Sequence, residues 1–191
     1  MPAPLEVFAT GATEVYLAPT GTADPAINVA VPGTYILVGV AGSKDYSEDG
    51  VRWRKGTENT DIYTNGQYGV RKVFRNRERL IIAMNVLDAT LEAYRDAFNQ
   101  SVVTTLVGPP AEKTIPLAEN ATTPTFRTML LRAPNSPYMD GGVLQLWIPL
   151  VYQTGETETI YRKSEPVGLA MEFTAVFDTT NGFGKMHGQT A

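Results

Sequence analysis

The stretch Arg79-Leu80-Ile81-Ile82-Ala83-Met84-Asn85-Val86-Leu87-Asp88-Ala89-Thr90-Leu91-Glu92-Ala93-Tyr94-Arg95-Asp96-Ala97-Phe98-Asn99-Gln100 changes its hydrophobic period part-way along. Over 79–87, Leu80, Ile82, Met84 and Val86 recur at every second residue, which puts them on one face of a strand. Ile81, Ala83 and Leu87 fall on the other side, so both faces are expected to be covered. Over 88–100 the large apolar residues Leu91, Tyr94 and Phe98 are spaced by three and four, with Leu87 one turn earlier. That spacing is one face of a helix. Leu87, Leu91, Tyr94 and Phe98 are therefore expected to pack on the sheet, each side chain contributing about 1.5–3 kcal/mol if fully buried. Asp88 is the expected N-cap. Glu92, Arg95, Asp96 and Asn99 are expected to face outward.

Outward from this segment the chain reads as strands and turns. Glu14–Leu17 is a short strand, followed by a loop with Pro19 and Pro25. Thr34–Val40 is a dense apolar run, expected to be a strand buried on both faces. Gly42–Gly50 reads as a turn, and Val51–Arg54 as an alternating strand. Gly69–Phe74 and Arg79–Leu87 read as two strands around Arg75-Asn76-Arg77-Glu78. Further strands are expected at Thr125–Leu131 and Val143–Tyr152. In the latter, Leu144, Leu146, Ile148 and Leu150 share a face, and Pro149 marks an edge or a bulge. The last strand alternates most regularly, with Val167, Leu169, Met171, Phe173, Ala175 and Phe177 against Glu172 and Thr174. The expected fold is mainly β: two packed antiparallel sheets, sandwich-like or barrel-like, with one flanking α-helix. A single domain is expected over 1–191, with an extended N-terminal segment (1–33), a long loop (108–124) and a glycine-rich, irregular C-terminal tail (178–191).

Composition narrows the function. The 191 residues include 17 Gly and 13 Pro but no Cys, which removes disulfides, thiolate metal sites and a cysteine nucleophile. The only His cannot build a multi-histidine zinc site. A net charge of −4 argues against a dedicated nucleic-acid binder. No apolar run approaches the ~20 residues of a membrane span, and Met1-Pro2-Ala3-Pro4-Leu5-Glu6 has no basic start, so no targeting segment is expected. Only 19% of residues are charged, below the usual ~25%.

Catalytic signatures are missing: no G-x-S-x-G, P-loop, H-E-x-x-H or dinucleotide turn occurs. No enzymatic activity, metal or cofactor is expected. Asp45, Glu48 and Asp49 lack the EF-hand spacing and read as a solvated turn. His187, near the C-terminus, reads as a residue of a disordered tail. Arg71, Arg75, Arg77 and Arg79 share parity, with Lys72 beside them and only Glu78 opposing. They are a solvated hairpin tip or an interface pairing with carboxylates of a neighbour. Nucleic acid is the weaker alternative, because no stacking aromatics interleave.

The order of these features resembles the major tail (tail tube) proteins of long-tailed phages. Three stretches carry the likeness: Tyr35–Val51, with its Val-Gly turn and polar Asp45-Tyr46-Ser47-Glu48-Asp49-Gly50-Val51; Leu80–Tyr94; and Phe177-Asp178-Thr179-Thr180-Asn181-Gly182-Phe183-Gly184. The resemblance implies two packed antiparallel sheets with a flanking helix. It also implies self-assembly into hexameric rings stacked into a tube that conducts DNA without specific binding. The implied partners are further copies, a tape measure protein and other tail proteins, with no membrane; the implied location is the virion. On this reading Arg71, Arg75, Arg77 and Arg79 are expected at inter-subunit or inter-ring contacts. The alternatives are a carbohydrate-binding β-sandwich, with Trp53, Tyr63 and Tyr68 as an aromatic platform, or another tail part such as a tail terminator or a secretion-system tube.

Overall fold

In the computed structural model the described residues are 13–39, 50–63, 65–66, 68–87, 90–99, 103–107, 112–117, 124–133, 142–157, 159 and 168–189. Expectations for Asp88, Gly42–Asp49, Val167 and the first twelve residues lie outside them. The chain is mainly β, with two antiparallel sheets and one helix among the described residues. Its strands are β1 (Glu14–Pro19), β2 (Ile36–Leu37), β3 (Arg52–Ile62), β4 (Lys72–Val86), β5 (Thr104–Leu106), β6 (Glu112–Thr114), β7 (Arg127–Ala133), β8 (Leu144–Gln153), β9 (Leu169–Ala175) and β10 (Lys185–Gly188); α1 spans Leu91–Ala97.

The large sheet runs β2-β1-β7-β8-β9-β4-β3, with β10 also on β8; β5 and β6 form the small sheet. Strand β8 is the fork. One edge pairs with β7, while the other pairs with β10 over Leu144–Trp147 and with β9 over Val151–Gln153. A register shift lies at Pro149, where three steps along β8 match two along β7. Such a bulge bends a strand, and the missing proline N–H is tolerated there. The bulge also moves the inward face from Ile148 to Val151, both fully buried, so Leu150 leaves the face expected of it.

The bend brings the two halves of the sheet over one another. Val15 and Leu17 of β1, Met129 and Leu131 of β7, Leu80, Ile82, Met84 and Val86 of β4, and Leu169, Met171, Phe173 and Ala175 of β9 form one continuous core. The period-two patterns of β4 and β9 dictate this directly. The exposed Phe177 instead sets its ring edge-on to Phe183, at 5.7 Å between centroids.

Several elements differ from the sequence expectation. Among its described residues, 34–39, the stretch Thr34–Val40 is not a doubly buried strand: the strand there is Ile36–Leu37, at the sheet edge, and Ile36 is exposed. Tyr35 and Val38 take the buried positions. The 108–124 loop contains β6, and the tail contains β10. Gly184 makes β10 possible: at φ 132° it passes so near β8 that a Cβ would lie 2.1 Å from the Trp147 carbonyl oxygen.

The helix is shorter than the periodicity suggests and is capped by Thr90, whose hydroxyl accepts from the Ala93 N–H at 3.2 Å. Its buried residues are Ala93, Asp96 and Ala97. Tyr94 is half-buried against the core, with Phe98 stacked on it at 5.6 Å; Leu87 and Leu91 are also half-buried. Small residues win the deepest positions because the helix lies close against β9. Asp96 does not face outward: it is buried and holds Arg127 of β7 at 2.7 Å and Arg95 at 2.9 Å. Asn99, at φ 55°, ends the helix in the left-handed conformation common just past a C-cap.

Candidate assembly surface

Strands β3 and β4 are much longer than the rest of their sheet requires. β9 covers β4 only over Ile81–Val86, so Lys72–Arg79 and its partner Gly56–Ile62 project as a two-stranded ribbon. The expected pair of strands around Arg75–Glu78 is in fact this single 15-residue strand. The chain reverses instead near Asn65-Gly66, where Gly66 takes φ 87°, a conformation that glycine supplies without strain. Every residue of β3 is exposed, as is β4 from Lys72 to Arg77.

A bulge at Asn76 decides where the arginines point. Glu58 pairs with Arg77 and Asn59 with Arg75, so Asn76 is the extra residue. Its side-chain amide donates to the Thr60 hydroxyl. Cross-strand partners share a face, so the bulge cancels the shared parity of the set. Arg77 and Arg79 lie on the face opposite the core. Arg75 and the position of Arg71, beyond the bulge, fall on the face of Lys55 and Glu78. Arg75 meets Glu78 at 2.6 Å, and Lys55 meets it at 3.1 Å. The Lys55 ammonium, aided by Arg75, holds the Glu78 carboxyl below its ordinary value. The four arginines are thus two pairs with different surroundings.

The ribbon also carries exposed apolar groups: Ile62, Tyr63, Tyr68, Val70, Val73 and Phe74. Lys72 lies over the Phe74 ring at 4.8 Å. Both lateral limits of the large sheet are open among the described residues, with β2 at one end and β3 at the other. An open strand edge presents unpaired N–H and C=O groups that a neighbouring strand can take.

Strands β7, β8 and β10 hold a polar clamp that pattern reading misses. Arg132, only 7% exposed, donates to the Gln145 side-chain oxygen at 3.0 Å, to the Val29 carbonyl at 2.6 Å and to the Ala26 carbonyl at 3.2 Å. Gln145 in turn donates to Asp24 at 3.0 Å and to the Pro25 carbonyl at 2.7 Å. His187 of β10 completes it, with Nε2 2.8 Å from Asp24 Oδ2. It is therefore no disordered tail residue. Tyr35 adds a bond to the Ala23 carbonyl at 2.8 Å and receives one from the Trp147 indole at 3.1 Å. Burial raises the Tyr35 phenol and lowers the Arg132 guanidinium from their ordinary values. The proline-containing loop over 20–33 is thus fastened to β7 and β8 by contacts within the chain. Buried donors and acceptors of this kind must be paired, and the pairing fixes the loop's path.

Among the described residues, no group of three or more His, Asp or Glu gathers as a metal set, and no helix is long and apolar enough to cross a membrane. No protein-family model matches the chain, and comparison with curated proteins finds no match.

Proposed function

We propose that this chain is a structural subunit of a phage tail tube. It assembles with copies of itself into rings, hexameric as the resemblance implies, that stack around a tape measure protein and leave a channel for DNA. The observation that carries the reading is the β3–β4 ribbon. A two-stranded ribbon is marginal by itself in water, yet this one holds exposed Ile62, Val70, Val73 and Phe74 with no layer on either face among the described residues. Such a device gains stability when neighbouring protomers cover it. Open edges at β2 and β3 suit a protomer whose two flanks meet different neighbours, the arrangement that closes rings by rotation. The net charge of −4 suits a channel that passes DNA without gripping it.

The carbohydrate-binding alternative needs one aromatic platform. Trp53 lies near the start of β3 and Tyr63 just beyond its end, ten positions apart and about 33 Å at strand rise, so Trp53 does not share one with Tyr63. Negative-stain electron microscopy of the purified protein separates the readings. Tubes with a ring repeat support the tail tube subunit; a monodisperse monomer at high concentration that binds glycans overturns it.

A further inference from the structure

The outer face of the β9-β4-β3 region carries a recess of about 330 Å³ lined by Arg52, Asn85, Gly155, Glu156 and Glu172 among others. Its acceptors are under-used. The Asn85 side-chain oxygen is the one buried side-chain polar atom among the described residues without a hydrogen-bond partner. Glu156 is exposed and joins no ion pair among them, and Glu172 meets only the 74% exposed Arg54, at 4.0 Å. Arg52 and Arg54 offset the two carboxylates in formal charge. They do not supply the donor that Asn85 lacks.

The same face carries the complementary chemistry further out. Arg77 and Arg79 are exposed, and neither pairs with a carboxylate among the described residues. Gly56, opposite Arg79, leaves open space beside it, and Glu58 stands opposite Arg77 without an ion pair joining them. By register, Glu172 stands in the row of Ala83, four residues from Arg79 and six from Arg77, which is about 14 and 20 Å along the strand. Donors and acceptors therefore sit at opposite ends of one face, the arrangement of a head-to-tail contact.

We propose that this recess is the socket for the Arg77–Arg79 pair of a second copy of this chain, a reading that rests on self-assembly as proposed above. A guanidinium offers five N–H donors in a planar fork. It can bridge to Glu156 or Glu172, which line the recess, while Asn85 Oδ1 lies buried against Gly168 beneath them. Arg75, already spent on Glu78, takes no part.

Charge reversal tests the pairing. One variant carries Arg77→Glu and Arg79→Glu, the other Glu156→Arg and Glu172→Arg; unchanged circular dichroism and Tm establish that each is folded. Each alone is expected to lose sedimentable polymer. An equimolar mixture, or one chain carrying all four changes, is expected to regain it, because every contact then joins opposite charges. If either folded variant assembles like the wild type, or the mixture and the fourfold variant stay unassembled while the wild type polymerises, the socket is overturned and self-assembly stands. If the wild type itself never assembles, both fall.

Discussion

Strand β4 runs through two environments. From Leu80 to Val86 it belongs to the body, paired with β3 as far as Ala83 and with β9 from Ile81 on, with Leu80, Ile82, Met84 and Val86 in the core; from Lys72 to Arg77 every residue is exposed. The backbone pairing with β3 runs from Lys72 to Ala83, across the join, broken only by the bulge at Asn76. The β9 ladder over Ile81–Val86 is one difference between the halves, but a ladder does not by itself bury a side chain. A second layer does: the body buries one face of its sheet against another, and the ribbon has no such layer. Ladder hydrogen bonds contribute only about 0.5–1.5 kcal/mol net each, so on the proposed function the ribbon gains its rigidity from the copies that cover it.

That contrast can be broken most forcefully in the body. Phe173→Ala, at a fully enclosed site of β9, is expected to destabilise by about 3–5 kcal/mol in denaturant unfolding. The next largest effect belongs to the clamp. Arg132→Met strands the Gln145 oxygen and two loop carbonyls. It is expected to cost about 1–3 kcal/mol and to release amide protection across 20–33. In the ribbon, Phe74→Ala is expected to change monomer stability by no more than ~0.5 kcal/mol while impairing assembly. Equal losses of monomer stability from Phe74→Ala and Phe173→Ala would erase the distinction.

The smallest effect is acid loosening of the ribbon. The Glu78 carboxyl is held below its ordinary 4.5, so its contribution is complete above that value. It fades as pH falls through the lower folded value. Amide exchange over 72–79 should quicken in that window, and Glu78→Gln should remove this response.

The same contrast explains what the sequence made legible. Where two layers meet, burial imposes period two, and β9 and the inner half of β4 announce themselves through Leu169, Met171, Phe173 and Leu80, Ile82, Met84. In the ribbon no burial filters the side chains, so Arg75-Asn76-Arg77-Glu78 resembles a turn although it is strand. The bulge at Asn76, which redirects Arg75, depends on pairing with Asn59 and leaves no local signature. Strand β10 is four residues with no alternation to read; its place depends on Gly184 and on His187 reaching Asp24 across 163 positions. The helix was visible as an element, yet its buried face was misjudged because large apolar residues outweighed Ala93 and Ala97 in the pattern. Of the candidate contact residues, the arginines stood out by charge. Their division into Arg75 and Arg71 on the Glu78 face, and Arg77 and Arg79 without a carboxylate partner among the described residues, required the register, and the Asn85 recess required the packing of Gly155 and Glu172.

Hydrogen exchange compared between monomer and assembled protein tests the central claim most directly. The expected result is a large gain of protection over 56–62 and 72–79 on assembly, with little change in the core segments 80–86 and 169–175. Assembly that leaves the ribbon amides exchanging as fast as in the monomer would contradict it.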